Sequence, residues 1–482
     1  MRRNLCLSAI GVLVLFSAFG SAIAQSGPAL SPEVQRYVRV PGPLIALTHL
    51  RVVDGTGSAP KENQTVIISG DKVQSVGDAS AVTVPAGAQA LDLSGYTVIP
   101  GLVGMHEHMF YPSGRVPIYN EMAYSFPKLY LAAGVTTVRT GGSLEPYTDI
   151  ELKHLIDTGH AAGPKMHITG PYLEGVGAFT PQMHILKDAE DARKTVNYWA
   201  DEGATSFKAY MNITRDELSA AVDAAHKRGL KVTGHLCSIG FREAAAIGID
   251  NLEHGLFADT EFVPGKIRDV CPARADGLHA MAGLDLDGAP VQAMIHDLID
   301  HHVAITSTLP VFEPYLPNRP PLDRRVLDAM IPEAQADYLA NRIRTNASPD
   351  NATGTAAFKK EMDFERMFVK AGGFLMAGED PTGIGGTLAG FGDQREAELL
   401  VEAGFTPIEA LRIYSYNGAQ FLGEADRIGT IAPGKAADLV VIHGDPSQNI
   451  AEIEKVEIVF KDGIGYDSAK LIDAVRGSVG LH

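Results

Sequence analysis

The chain has 482 residues, 45% of them hydrophobic, with 41 basic and 58 acidic side chains and a formal net charge of −17. That length supplies one large domain and a smaller one, and the acidic balance argues against nucleic acid or an anionic membrane surface as a partner. Residues 1–24 read as an export presequence: Arg2 and Arg3 precede an apolar run over 5–19, and Ala22-Ile23-Ala24 before Gln25 fits a cleavage site of small residues. The run is too short and too poorly flanked for a spanning helix, so no stable membrane insertion is expected after cleavage after Ala24. The mature chain, 39 basic against 58 acidic residues and therefore −19, is expected in the periplasm or secreted. It keeps Cys237 and Cys271, which are too few for a disulfide framework and read as two unpaired thiols in a packed interior.

In chain order, residues 25–43 form a polar, proline-containing N-terminal extension. Residues 44–97 read as short strands at 46–53, 65–69 and 73–76, punctuated by Asp54-Gly55, Ser69-Gly70 and Pro85-Ala86-Gly87. This is too little for a free-standing domain. The far end repeats the style at Gly429-Thr430-Ile431, 437–442, 456–460 and Lys461-Asp462-Gly463. One small β-sandwich built from both termini, 44–97 and 426–482, is the economical reading. Between them, over 98–425, strand and amphipathic helix alternate. Strands are expected at 135–139, 166–169, 205–210, 231–235, 251–254, 303–309 and 373–377. Helices are expected at 189–202, at 215–228 (capped by Thr214 and closed by Gly229) and at 241–247. Such alternation means a parallel sheet, and about eight units make the α/β fold a (β/α)8 TIM barrel. Two long stretches, 257–300 and 310–365, break the rhythm. In a barrel, insertions after late strands cover the active-site face.

His106 and His108 stand directly behind an apolar run at 96–103. Residues at i and i+2 of a strand share a side, so the pair makes a metal grip at a strand end. Sixteen histidines make chance neighbours common, and His301-His302 reads as an ordinary surface pair. Four more polar residues end later strands: Lys208, His235, His254 and Asp380. Alone, a strand-end histidine is a structural hydrogen bonder and a lysine is solvated. Six such residues on successive strands converge on one barrel mouth, which points to a metal centre.

These positions, together with the tail Gly429-Thr430-Ile431-Ala432-Pro433-Gly434-Lys435-Ala436-Ala437-Asp438-Leu439, make nearly the whole mature chain resemble the amidohydrolase superfamily. The nearest likeness is its imidazolonepropionase-like branch, which includes Xaa-Pro dipeptidases. The resemblance implies two divalent metal ions, zinc foremost. His106, His108 and Asp380 would hold one and His235 and His254 the other. Lys208, carboxylated by CO2, would bridge them, a change that requires the neutral amine and is helped by desolvation. It also implies a water acidified from about 15.7 toward about 7 as the nucleophile, with Asp380 carrying its proton to the leaving amine. The substrate would be a small molecule with an amide bond, a dipeptide or N-acyl amino acid.

The chain departs from the family pattern in three places. Gly104 stands where many relatives carry an aspartate. Val138-Arg139-Thr140 replaces a Val-Arg-Asp motif. Glu379 precedes the metal aspartate, where it either tunes substrate charge or faces solvent. Tyr210, on the same strand face as Lys208, either donates to a substrate carbonyl or packs. His184, in the loop Thr180-Pro181-Gln182-Met183-His184, is a candidate substrate-side group. Arg139 either binds a carboxylate or forms a structural salt bridge, and Glu253 alternates away from the mouth and reads as structural. Two alternatives stand beside the binuclear hydrolase. A mononuclear cyclic-amide hydrolase or deaminase has no need of Lys208, and a non-catalytic binding protein should have lost ligands. A homo-oligomer is compatible with all of them.

Overall fold

The computed structural model of the protein describes residues 28–113, 118–348 and 351–480. The expected presequence lies outside the described residues. The two ends of the chain meet in one nine-stranded sheet. Its order is Val38–Val40, Ile464–Asp467, Val456–Lys461, Leu439–His443, Tyr96–Pro100, Leu44–Val52, Lys61–Ser69 and Lys72–Asp78, with Gln89–Asp92 also pairing with Leu44–Val52. The join is the antiparallel pairing of Leu439–His443 with Tyr96–Pro100, in which Val441 lies opposite Val98. Residues 25–43 are thus more than a lead-in, since Val38–Val40 pairs with Ile464–Asp467 at the sheet edge. A bridge between Lys72 and Ala436 brings the opposite edge back toward the centre. The curled sheet encloses its own apolar cluster, with Ile45, Val66, Val98, Val441, Ile458 and Phe460 buried inside.

Gly101 separates this sheet from the first strand of the central layer. A β-carbon there would lie 2.0 Å from the Thr136 hydroxyl, so only glycine lets the chain change sheets at this point. Eight parallel strands follow: β1 (Leu102–Glu107), β2 (Val135–Thr140), β3 (Lys165–His167, continued by Thr169–Leu173), β4 (Ser206–Ala209), β5 (Lys231–Gly234), β6 (Asn251–Glu253), β7 (Ala304–Ser307) and β8 (Leu375–Ala377). β2 lies between β1 and the first part of β3, and the second part of β3 starts an unbroken parallel ladder to β8. Every residue of β1, β2, β4 and β7 is buried. Parallel strands covered on both faces read this way, as apolar runs without alternation. β8 returns beside β1, where the Asp380 N–H donates to the His106 carbonyl at 3.1 Å.

The helices follow their caps. Ala189–Glu202 starts where Asp188 accepts from the Asp191 N–H and ends at Gly203, whose φ is 114°. Arg215–His226 starts from a capping box between Thr214 and Glu217. Phe241–Ile247 ends at Gly248 in the left-handed conformation. The stretches that broke the rhythm are themselves largely helical, carrying Arg274–Ala282 and Ala289–Asp300 in the first and Arg324–Ala329, Pro332–Asn346 and part of Asn351–Lys370 in the second. Cys237 and Cys271 are not free thiols. They form a disulfide, with Cα atoms 4.9 Å apart across 34 residues of sequence. The bond ties the loop after β5 to the first insertion, a proximity that neither spacing nor composition encodes.

Candidate metal centre

The strand ends bring the six candidate ligands to one place. His106 lies within β1 and His108 just past it, Lys208 lies in β4, and His235 and His254 each follow the last residue of β5 and β6. Asp380 stands three residues beyond β8. From the Asp380 carboxylate, Oδ1 lies 3.4 Å from His108 Nε2, and Oδ2 lies 3.7 Å from His106 Nε2 and 3.8 Å from His254 Nε2. Lys208 Nζ is 3.4 Å from His106 Nε2. The His254 ring centroid is 4.6 Å from that of His106 and 4.5 Å from that of His235. The imidazoles and Asp380 line a tight cavity of about 20 Å³.

The chemistry of this donor set fits a cation. His106 Nδ1 lies 2.8 Å from Glu253 Oε2 and His108 Nδ1 lies 3.1 Å from the Gly142 carbonyl. Both partners are acceptors, so each Nδ1 carries the hydrogen and each Nε2 presents a lone pair to the cavity. His254 Nδ1 is engaged by the Thr308 hydroxyl. Its Nε2 is buried without any hydrogen-bond partner, an orphan that a cation would satisfy. Burial, followed by the Lys208 charge, holds His106 well below the ordinary histidine range and His235 down to about 3. Both are therefore neutral, the form that ligates metal. Burial opposes ionisation of Asp380, but His106 and His108 hold its carboxyl well below the usual range. Burial also pulls Lys208 down to about 8, so the uncharged amine is accessible near neutral pH.

Two candidate ligands sit on strained backbone. His254 has φ 67° and Asp380 has φ 52°, in the left-handed region that non-glycine residues seldom occupy. At His254 the turn breaks strand alternation and brings its ring to the side of Glu253, which lies on the inward face with Asn251. Instead of facing away, Glu253 reaches His106 on the same side as its neighbour. Glu253 is fixed in turn by Arg139, whose Nη2 lies 2.7 Å from its Oε1. Arg139 also donates from Nε to the Met105 carbonyl at 2.8 Å and from Nη1 to Asn251 Oδ1 at 2.7 Å. It is therefore the structural salt bridge, buried beneath the site, and does not meet a substrate carboxylate.

The departures at Gly104 and Glu379 belong together. A β-carbon at Gly104 would lie 2.3 Å from Glu107 Oε1, so the space a side chain would take at this position is filled by Glu107. Glu379 does not face solvent. It is fully buried beside Glu107 and Asp393, accepts the Asp393 N–H at 3.0 Å, and meets the Tyr414 hydroxyl through Asp393. Burial first, and the neighbouring acids second, push Glu107 and Glu379 well above the usual carboxylate range.

Tyr210 lines the cavity, its ring 4.9 Å from His235 and 4.8 Å from Tyr172. His184 does not join it. About half exposed, it lies 3.2 Å from Asp191 and faces a separate cavity of about 530 Å³ beside Tyr147 and Trp199. Tyr172 and Met183 line both spaces and stand between them. Thr308, Tyr119 and Tyr172 were not singled out in the sequence, and no motif marks them. A third cavity, of about 350 Å³, opens beside His235, Tyr210 and Asp380 under the first insertion.

Residues 97–464 match the model of the amidohydrolase family. The chain belongs to the amidohydrolase family. It is accordingly a hydrolase of carbon–nitrogen bonds, in a family that generally binds metal. A dihydroorotase from Pelotomaculum thermopropionicum is 22% identical over 423 residues, covering 83% of this chain and 88% of the relative. Among solved structures, a Xaa-Pro dipeptidase with methionine bound in its active site superposes with a TM-score of 0.67 at 20% identity, covering 88% of this chain and 100% of that one. The ochratoxinase of A. niger does so with a TM-score of 0.64 at 17% identity, over 89% and 96%. At these identities the likeness shows a shared fold.

Proposed function

We propose that this amidohydrolase is an exported enzyme with two divalent metal ions, zinc foremost, that hydrolyses an amide bond in a dipeptide or N-acyl amino acid. The observation that carries the reading is the convergence of three imidazole Nε2 atoms on Asp380, with the buried His254 Nε2 making no hydrogen bond among the described residues. His106, His108 and Asp380 would hold one ion and His235 and His254 the other. Carboxylated Lys208 would bridge them, since an ammonium offers only donors while a carbamate offers acceptor oxygens. Bound metal would acidify water and polarise the scissile carbonyl. Asp380, held ionised among the histidines, is the acceptor for the proton of an attacking water and returns it to the leaving nitrogen. Tyr210 is placed to donate its hydroxyl hydrogen to the substrate carbonyl, and Glu253 fixes the His106 ring. A closed barrel with the curled terminal sheet as its small domain fits the return of β8 beside β1. The Cys237–Cys271 bond and the presequence pattern favour export.

Elemental analysis of the purified protein tests the reading together with product analysis over a library of dipeptides and N-acyl amino acids. Two equivalents of divalent metal and release of a free amino acid are expected. Lys208→Ala is expected to lose at least about 100-fold in turnover, as removal of a group acting on the transition state does, and to lose bound metal. A metal content near one would favour the mononuclear alternative. No bound metal, or unchanged turnover in Lys208→Ala, would exclude the two-metal mechanism.

A further inference from the structure

The cavity of about 350 Å³ beside His235 and Asp380 has the size of a small-ligand site and a distinct polarity. Its walls are apolar, with Leu278, Met281 and Val311 facing Phe257 and Phe312, whose rings stack at 3.8 Å. Among the described residues lining it, Arg274 is the one lysine or arginine. The Arg274 guanidinium carbon sits 4.5 Å from the centroid of the Tyr315 ring, a cation–π contact that orients the group without neutralising it. No carboxylate of the described residues pairs with it within the 4.0 Å of an ion pair. Arg274 and His235 line the same cavity. Two acids line the same cavity: Asp380, at its inner end with His235, and Asp259, a buried residue whose carboxyl burial pushes up to about 8.

Arg274 is also held by covalent structure. It is the first residue of the helix Arg274–Ala282, three positions after Cys271. Cys271 is bonded to Cys237, two positions after His235. A short covalent path through the disulfide and Pro272 therefore links the guanidinium to a candidate metal ligand. Arg274 is exposed at the rim of this cavity, held over the Tyr315 ring, while the apolar side chains line its walls beside His235 and Asp380; a cation at the rim of an apolar wall matches a ligand with one carboxylate and one apolar side chain.

We infer that this chamber binds the leaving amino-acid half of the substrate, with Arg274 recognising its free α-carboxylate and the apolar walls accepting a large apolar or aromatic side chain. The inference rests on the amide-hydrolase reading for the direction of cleavage, but the binding site itself does not. The test compares N-acetyl-L-phenylalanine with N-acetylphenethylamine, which lacks only the carboxylate, as substrates of the zinc-loaded full chain. Calorimetric titration with L-phenylalanine and phenethylamine runs in parallel, using wild type, Arg274→Gln and Arg274→Lys. Wild type is expected to prefer the carboxylate compounds by about 10- to 100-fold, the worth of a charge-assisted pair. In Arg274→Gln the preference should fall to within about threefold, with Arg274→Lys between the two. A preference unchanged in Arg274→Gln overturns the inference even where turnover proves the hydrolase. Absent turnover with an Arg274-dependent preference in binding overturns the hydrolase reading and leaves the carboxylate site standing. Absence of both turnover and binding overturns both.

Discussion

Glu253 shows how much a single residue contributes without touching a substrate. It accepts from His106 on one oxygen and from Arg139 on the other, so it sets the tautomer and the ring plane of a candidate ligand. Outer partners of this kind typically change metal affinity by about 10- to 100-fold. Glu253→Gln is therefore expected to weaken metal binding by that factor, read by chelator competition, with the fold unchanged by circular dichroism. Unaltered metal affinity would reduce Glu253 to a packing role. Glu365, in the helix over Asn351–Lys370, acts on stability instead. Burial raises its carboxyl from the ordinary 4.5 to about 8. Below the ordinary value both folded and unfolded chains hold the proton and the group contributes nothing. Above it the unfolded chain ionises first, so stability falls with rising pH until about 8. Glu365→Gln should lose less stability than wild type between pH 5 and pH 8, by about 3 to 4 kcal/mol, measured from urea midpoints. Parallel losses in the two proteins would show that Glu365 already ionises in the fold.

At the scale of elements, the disulfide and the helices beside it make a working wall out of an insertion. Cys237 follows β5 and its ligand His235, while Cys271 precedes the helix that carries Arg274. Closing a loop of 34 residues is worth about 3 to 4 kcal/mol in the chain-entropy account. Cys271→Ser is expected to lower unfolding stability by up to that amount, visible as a shifted denaturant midpoint. A variant with an unchanged midpoint would show that packing alone holds the insertion in place. The strand ends carry a related lesson. At β6 the left-handed His254 puts two successive side chains on one side, and at β8 the equally strained Asp380 lies three residues beyond the last strand residue. Both are places where regular geometry gives way to the site.

In the whole molecule, the terminal sheet is bound to the parallel strands through its chain path and its contacts. Leu439–His443 pairs with Tyr96–Pro100, which leads through Gly101 into the strand that carries His106. Asp438 receives the buried end of Lys165 at the start of β3, and Ser468 donates to the Ala132 carbonyl. Removing residues 426–482 would strip three strands from the sheet and uncover its apolar cluster. The truncated chain is expected to show no cooperative unfolding transition by calorimetry. A truncated chain that melts cooperatively and still binds metal would make the central α/β part an independent unit.

The sequence by itself determined the parts that depend on local physics. Short apolar strands alternating with amphipathic helices marked a parallel sheet, Thr214 placed the start of a helix, and six polar residues at strand ends, with the tail motif, marked an amidohydrolase. Tertiary structure alone decided which neighbours those residues meet. Glu253 shares the face of Asn251, where both meet Arg139, and the positive φ at His254 brings the next side chain to the site as well. Gly104 looked like a lost support, but the missing volume is taken by Glu107, a contact that depends on how the backbone folds around it. Cys237 and Cys271, and Arg274 beside Tyr315, lie far apart in the chain and carry no spacing rule, so only the folded path joins them. Local propensity is written in neighbouring residues, whereas burial, pairing and the orientation of a charge arise when distant segments exclude water together.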